Sequence, residues 1–313
     1  MKFSVTVPAF KRQYLKECID SILAQTYGDF ELIIVNDASP EDLGSIVSQY
    51  DDPRIRYYVN DHNCGAVNVV DNWNIALSYA TGDYVICMGD DDRLLPNCLE
   101  EYARMIEAYP GLGVYHAWTQ IIDEHSAVID MQEPRPLRES VYSMIWCRWH
   151  GRMQFIGDFL FDTALLKRNG GFYKMPLAWG SDDISTFIAA KDTGIANSQV
   201  PMFQYRRSTI TISRTGNIDI KMEAANQEEQ WYTAFLAAEP DDANEIAKVY
   251  WHNCKTRLSL HMSKKRIYQM ARPLGEAFLK YLITFYRNRK KYHITSRHIT
   301  YACIEMLKER FKK

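Results

Sequence analysis

Along the N-terminal third of the chain the apolar residues change their spacing in a regular way. Phe3, Val5 and Val7 alternate with polar neighbours, which predicts a strand ending in Val7-Pro8-Ala9-Phe10-Lys11-Arg12. Leu15, Cys18, Ile19, Ile22 and Leu23 then fall at i, i+3, i+4, i+7 and i+8, the stripe of a helix lying on a sheet. Leu32-Ile33-Ile34-Val35 is continuously apolar, as expected of a parallel strand covered on both faces, and breaks into Asn36-Asp37-Ala38-Ser39-Pro40-Glu41-Asp42. A strand over 55–59, a helix over 68–80 and a strand over 84–88 continue the alternation. The pattern predicts an α/β fold with a mostly parallel, doubly wound sheet flanked by helices.

The fourth strand runs directly into Gly89-Asp90-Asp91-Asp92, and Leu94-Leu95-Pro96 leads to a helix over 97–109 and a strand over 113–118. From Pro134 to Phe161 aromatic residues are dense (Tyr142, Trp146, Trp149, Phe155, Phe159, Phe161) without a clean period. Core packing is the plain explanation, and stacking on sugar faces is the functional one. Trp179-Gly180-Ser181-Asp182-Asp183 opens a helix to about Lys191, with Ser181 or Asp182 as the cap. An edge strand over 200–205 is followed by Arg206-Arg207 beside Ser208 and Thr209, a grouping suited to holding phosphate. From Ile218 the pattern is helical to the end, with breaks expected at Pro240 and Pro273. The expected organisation is therefore a nucleotide-binding half over 1–110, an acceptor-binding and catalytic half over 111–217, and a helical region over 218–313.

Composition narrows the function classes. No Gly-x-Gly-x-x-Gly follows the first strand and no Gly-x-x-x-x-Gly-Lys-Ser/Thr occurs, so dinucleotide oxidoreductases and P-loop enzymes drop in rank. No apolar run approaches the ~20 residues of a spanning helix. The chain opens straight into a strand, and seven scattered cysteines show no metal or disulfide spacing, so a cytoplasmic protein with reduced thiols is expected. The formal net charge of -2 hides a division: residues 255–313 hold 16 Lys and Arg against 3 acidic residues. Around Phe278, Leu279, Leu282, Ile283, Phe285 and Tyr286 the apolar face is wide, and Arg287-Asn288-Arg289-Lys290-Lys291 follows. Peripheral docking on an anionic membrane and simple packing with solvated lysines are the two readings of that tail.

Three adjacent carboxylates at a strand's carboxyl end repel one another, and a divalent cation, Mg²⁺ or Mn²⁺, would relieve the repulsion. The plain alternative is a solvated acidic turn. Asp182 and Asp183 likewise suit a helix start through the macrodipole alone.

Taken together, Val7-Pro8-Ala9-Phe10-Lys11-Arg12, Ile34-Val35-Asn36-Asp37-Ala38-Ser39, Gly82-Asp83-Tyr84 and Gly89-Asp90-Asp91-Asp92 resemble the family 2 glycosyltransferases. Asn72-Trp73-Asn74-Ile75-Ala76 stands where that family has an Asn-containing helix, and Trp179 to Asp183 resembles its late acidic pair. The resemblance covers about residues 3–215 and implies the GT-A fold, Rossmann-like, with the helical tail as an appendage. It places a nucleotide against Pro8, Phe10 and Arg12, with Asp37 hydrogen-bonding the base and Asn72 nearby. Asp90, Asp91 and Asp92 fall on the family's DxD segment, with either Asp90 or Asp91 toward the ribose and Asp92 on the metal, Gly89 in the first acidic place and Ser208 where the family has a His. Asp183 is the expected base and Asp182 orients it, while Arg206 or Arg207 supplies a second positive charge to the departing diphosphate.

The implied activity is metal-dependent, inverting transfer from a nucleotide-diphosphate sugar, UDP-linked, to a carbohydrate or lipid-linked acceptor in polysaccharide or glycolipid assembly. Nucleic acid is not among the expected partners. A sugar nucleotidyltransferase and a non-catalytic nucleotide-sugar binder are the alternatives.

Overall fold

The computed structural model describes residues 1–207, 218–240 and 245–311. Chain order in the N-terminal part follows the hydrophobic periods. β1 (Phe3–Ala9) leads through α1 (Leu15–Leu23) to β2 (Phe30–Asn36), and α2 (Gly44–Val47) precedes β3 (Ile55–Val59). From there α3 (Val69–Tyr79) leads back to β4 (Tyr84–Cys87). β3, β2, β1 and β4 lie side by side and parallel. Every residue of β2 is buried, which is why its 32–35 segment reads as an unbroken apolar run, and Leu15, Cys18, Ile19 and Ile22 of α1 are inaccessible to solvent.

One polar group is built into this half. Glu31 of β2 accepts from Ser4 Oγ at 2.7 Å, Thr81 N at 2.7 Å, Thr81 Oγ1 at 2.9 Å and Arg56 Nη1 at 3.0 Å. Gly82 passes so close to β1 that a Cβ would stand 2.7 Å from Ser4 N, so only glycine fits at that start of β4.

Beyond the acidic turn come β5 (Arg93–Leu94), α4 (Cys98–Ala108), β6 (Val114–Ile122), β7 (Val128–Met131), β8 (Arg138–Glu139) and α5 (Val141–Trp149). They are followed by β9 (Phe159–Asp162), α6 (Thr163–Arg168), α7 (Ser181–Ala190) and β10 (Ile195–Arg206). One sheet of order β3-β2-β1-β4-β9-β6-β10-β5 joins both halves, with β7 on β6 and β8 on β10.

The sheet is mostly parallel, as expected, with β9 entering antiparallel between β4 and β6 and its Phe159 and Phe161 as core residues. Two sequence expectations change here. β10 is a twelve-residue strand hydrogen-bonded on both sides, to β6 and to β5 and β8, not a short edge. A register shift at Pro201 accommodates the missing N–H that made it look like an edge. α7 is capped by Gly180, at φ 91, rather than by Ser181 or Asp182.

The described residues form two compact units. The sheet and its helices make one. The other contains 175–179 and the helices α8 (Ile218–Phe235), α9 (Glu245–Glu276), α10 (Phe278–Arg287) and α11 (Ser296–Phe311). Its core gathers Met222, Met270, Leu274, Phe285, Tyr292 and Ala302. Pro273 does not end a helix as expected; it is carried inside α9, and the break falls after Glu276. Among the described residues no helix is long and apolar enough to cross a membrane.

Candidate active site

The parallel strands deliver their carboxyl ends to one edge of the sheet, where open α/β folds hold ligands. At the end of β2, Asp37 is buried, and its N–H donates to the Ala9 carbonyl at 2.9 Å, tying it to β1. Asp37 Oδ1 accepts from Asn60 Nδ2 at 2.9 Å and from Cys64 N at 3.0 Å, and Asn63 Nδ2 donates to the Asp37 carbonyl at 2.7 Å. The carboxylate is thus fixed by the 60–64 loop. Asn72 stands behind it: its Oδ1 accepts from Asn60 Nδ2 at 3.0 Å and the residue is 2% exposed. The structure makes Asn72 a support for Asp37 rather than a surface that meets a nucleotide.

Near the end of β1, Pro8 is half-buried, and just beyond the strand Phe10 is exposed. The N–H groups of Phe10 and Lys11 both donate to Asp90 Oδ2 at 2.7 Å, so Asp90 fastens the β1 loop to the turn after β4. Arg12 turns outward, with Nη1 donating to the Asp42 carbonyl at 2.6 Å and to Ser45 Oγ at 3.0 Å.

The acidic turn is crowded as its sequence implies. Burial, then the charge of Asp91, pushes Asp90 up to about 6. Burial and Asp91 also raise Asp92 well above the usual carboxylate range, with Asp158 and Asp90 adding and the Arg206 N–H opposing. Asp91 is the most accessible of the three and lies 3.4 Å from Lys11 Nζ. A Cβ on Gly89 would stand 2.9 Å from Asp91 Oδ1 and 3.0 Å from Asp92 Oδ2, so these two carboxylates converge over a position that only glycine leaves open. Among the described residues no group of three or more His, Cys, Asp and Glu gathers into a cage for a metal ion.

Arg206 lies beneath this turn, not in front of it. Its side chain is fully buried, its N–H donates to Asp92 Oδ1 at 2.9 Å, and Nε donates to the Asp91 carbonyl at 2.8 Å. Nη1 serves the Asp123 carbonyl and Ser126 Oγ, each at 2.9 Å, and Nη2 serves Glu17 Oε2 at 3.0 Å. The face of the guanidinium rests 4.0 Å from the Tyr14 ring centroid. With every nitrogen engaged and the side chain buried, Arg206 braces the turn from beneath. Arg207 is exposed, 3.6 Å from Asp130. Ser208 and Thr209 lie outside the described residues.

The late acidic pair sits at the start of α7. Arg148 Nε donates to Asp183 Oδ1 and Oδ2 at 3.1 and 3.0 Å, and Gln154 Nε2 donates to Oδ1 at 2.6 Å. Asp182 is pushed up to about 7 by burial and then by the charge of Asp183. Tyr205 links the two acidic groups: burial raises its hydroxyl, then Asp92 and Asp91, with Asp182 adding and Arg207 opposing. Asp183 bonds Gln154, the adjacent Phe155 stacks on Tyr205, and the next N–H, of Arg206, bonds Asp92, so the start of α7 and the turn after β4 are neighbours. The Tyr205 ring stacks on Phe155 with centroids 3.6 Å apart. The N–H of Phe155 is in turn held by the fully buried Asp158, which also accepts from Thr119 Oγ1 at 2.5 Å and Gln132 Nε2 at 2.7 Å. Sequence reading missed Arg148, Gln154, Asp158 and Glu17, each of which holds a predicted site residue or its neighbour.

A mixed α/β sheet with acidic groups at the carboxyl edge of its parallel strands defines a ligand-binding class, and the comparisons give the family. The family model "Glycosyl transferase family 2" matches residues 4–166, and the chain belongs to that family. A GalNAc(5)-diNAcBac-PP-undecaprenol beta-1,3-glucosyltransferase of Campylobacter jejuni is 42% identical over 101 residues, 31% of this chain and 32% of that one. Glycosyltransferase GlyG of Streptococcus pneumoniae is 32% identical over 107 residues, 33% of this chain and 35% of that one. The match spans about a third of the length of these curated relatives. Among solved structures, S. aureus TarS with UDP-GlcNAc superposes with a TM-score of 0.59 at 17% identity, covering 92% of each chain. TarS with UDP gives 0.61 at 17% identity, covering 100% of this chain and 92% of that one. The fold is therefore the GT-A type, with C-terminal helices.

Proposed function

We propose that the protein transfers a sugar, with inversion, from a UDP-linked donor to a hydroxyl of a carbohydrate or lipid-linked acceptor. The observation that carries the reading is the chain of contacts from Asp183 to Gln154, on through the adjacent Phe155 stacked on Tyr205, to the N–H of Arg206 on Asp92, which joins two acidic groups far apart in the sequence. TarS was crystallised with UDP-GlcNAc and with UDP, which supports the donor class, and the name of the Campylobacter relative supports a lipid-linked acceptor.

On this reading the base of the nucleotide lies against Asp37 and the exposed Phe10 ring. Asp91 and Asp92, converging over Gly89, would hold a divalent cation, Mn²⁺ or Mg²⁺, as a hard ion that takes one or two carboxylates and completes its shell with water and phosphate. Bound there, the ion would supply charge neutralisation for the departing diphosphate. Arg207, exposed and paired with Asp130, would supply the second positive charge, and Arg206 keeps the turn in shape. Asp183, fixed by Arg148 and Gln154, takes the proton from the acceptor hydroxyl as it attacks the anomeric carbon from the face opposite the leaving group. One observation favours a second assignment within the pair. Asp182, at about 7, is matched to proton transfer near neutral pH, and Asp183 would then be the group that orients it.

Donor hydrolysis with Mn²⁺ and no acceptor tests the class. Slow release of free sugar is the expected result; turnover that depends on pyrophosphate would assign a nucleotidyltransferase, and tight binding without turnover a nucleotide-sugar binder. UDP with Mn²⁺ at 100 times its dissociation constant is expected to stabilise the protein by ~2.7 kcal/mol in a thermal shift.

A further inference from the structure

α10 carries more apolar surface than the helical unit buries. Phe285 is fully buried, with Tyr281 and Leu282 packed beside it. Leu279, Ile283 and Tyr286 form a second stripe, at i, i+4 and i+7, and are 70%, 52% and 58% exposed. At about 100° per residue, Lys280 and Arg287 fall on the flank of this outer stripe. Arg289 lies 3.8 Å from the Tyr286 ring centroid, and its stem and that ring extend the same surface. Residues 277–304 contain six Lys and Arg and no Asp or Glu, and of these six Lys291 pairs with Asp219 of α8.

We propose that α10 and the basic turn after it form a docking surface for an anionic phospholipid bilayer. Leu279 and Ile283 would enter the boundary between headgroups and acyl chains, and Tyr286 would sit at headgroup level. Lys280, Arg287 and Lys290 would extend to lipid phosphates while their stems cover apolar surface. The charge selects this occupant over a second copy of the chain. An isologous contact would set this cationic stripe against itself, whereas an anionic bilayer satisfies both the apolar and the charged parts. The inference stands apart from the transfer reaction, since it uses no residue of the acidic site.

Flotation of the full chain with vesicles tests it. Binding is expected to phosphatidylglycerol-containing vesicles, to weaken with added salt, and to be at least about tenfold lower on pure phosphatidylcholine. Leu279→Asp with Ile283→Asp is expected to cut binding about tenfold or more, and Arg287→Glu with Lys290→Glu to do the same, with circular dichroism melts unchanged because these side chains are exposed. Failure of the parent chain to float with the anionic vesicles, or undiminished binding by both variants, would overturn the proposal. So would self-association that the apolar variant abolishes in a chain that ignores lipid. Loss of donor hydrolysis in the parent chain would count against the transferase reading and leave this surface untouched.

Discussion

Asp182 and Asp183 are neighbours in sequence, yet their surroundings differ: one carboxylate is clasped by Arg148 and Gln154, the other is pushed up to about 7. Replacing Asp183 by Asn is expected to lower kcat by about 10² or more with donor affinity nearly unchanged, as measured by steady-state kinetics and UDP titration. A base must be unprotonated to act. If Asp182 takes the proton, kcat falls about tenfold per pH unit below about 7; Asp182→Asn abolishes that limb, while Asp183→Asn keeps it but moves it to lower pH by removing the charge that helps raise Asp182. At the acidic turn, Gly89→Ala would press a methyl group against Asp91 and Asp92. Its expected signature is Mn²⁺-dependent UDP binding weakened about tenfold or more, read by calorimetry, with the thermal midpoint in the absence of ligand little changed. The aspartates themselves were legible in the sequence because three adjacent anions are costly without a purpose. Their partners were not: Glu17 reaches Arg206 across 189 residues and Gln154 reaches Asp183 across 29, separations that leave no local pattern.

Among the elements, β1 to β4 were readable because parallel strands buried on both faces must be apolar and the helices between them must carry a stripe. β9 and β10 were not readable in the same way. β9 is a four-residue strand within an aromatic segment, where periodicity cannot separate strand from helix, and Pro201 disguised the interior position of β10. Glu31 is the polar lock of the parallel half. Burial opposes its charge, but the Ser4 hydroxyl, the Thr81 N–H and hydroxyl, and Arg56 outweigh it and hold the carboxyl at about 2. A depressed carboxylate adds stability above its unfolded value, near 4.5, and that stability is lost as pH falls through about 2. Glu31→Gln is therefore expected to cost about 2 kcal/mol in urea denaturation at pH 7. The gap between variant and parent should close progressively from about pH 4.5 to 2; a constant gap would assign the loss to packing instead.

Across the whole molecule, charge and chemistry are apportioned to different stretches of chain. The carboxylates that define the candidate site belong to the sheet unit, while residues 255–313 hold 16 of the chain's 37 Lys and Arg. That division was visible by counting. The outward face of α10 was only partly visible, since its wide apolar arc does not reveal which side chains the unit buries. The account rests on the claim that the acidic turn, Asp37 and the Asp182–Asp183 pair border one nucleotide-sugar site. Anomalous diffraction from crystals grown with Mn²⁺ and UDP tests it most directly. A manganese peak within coordination reach of Asp91 and Asp92, with the diphosphate beside it and the base against Asp37, is the predicted result. Manganese bound away from residues 89–92, or UDP seated where neither Asp37 nor the acidic pair of α7 borders it, would contradict the account.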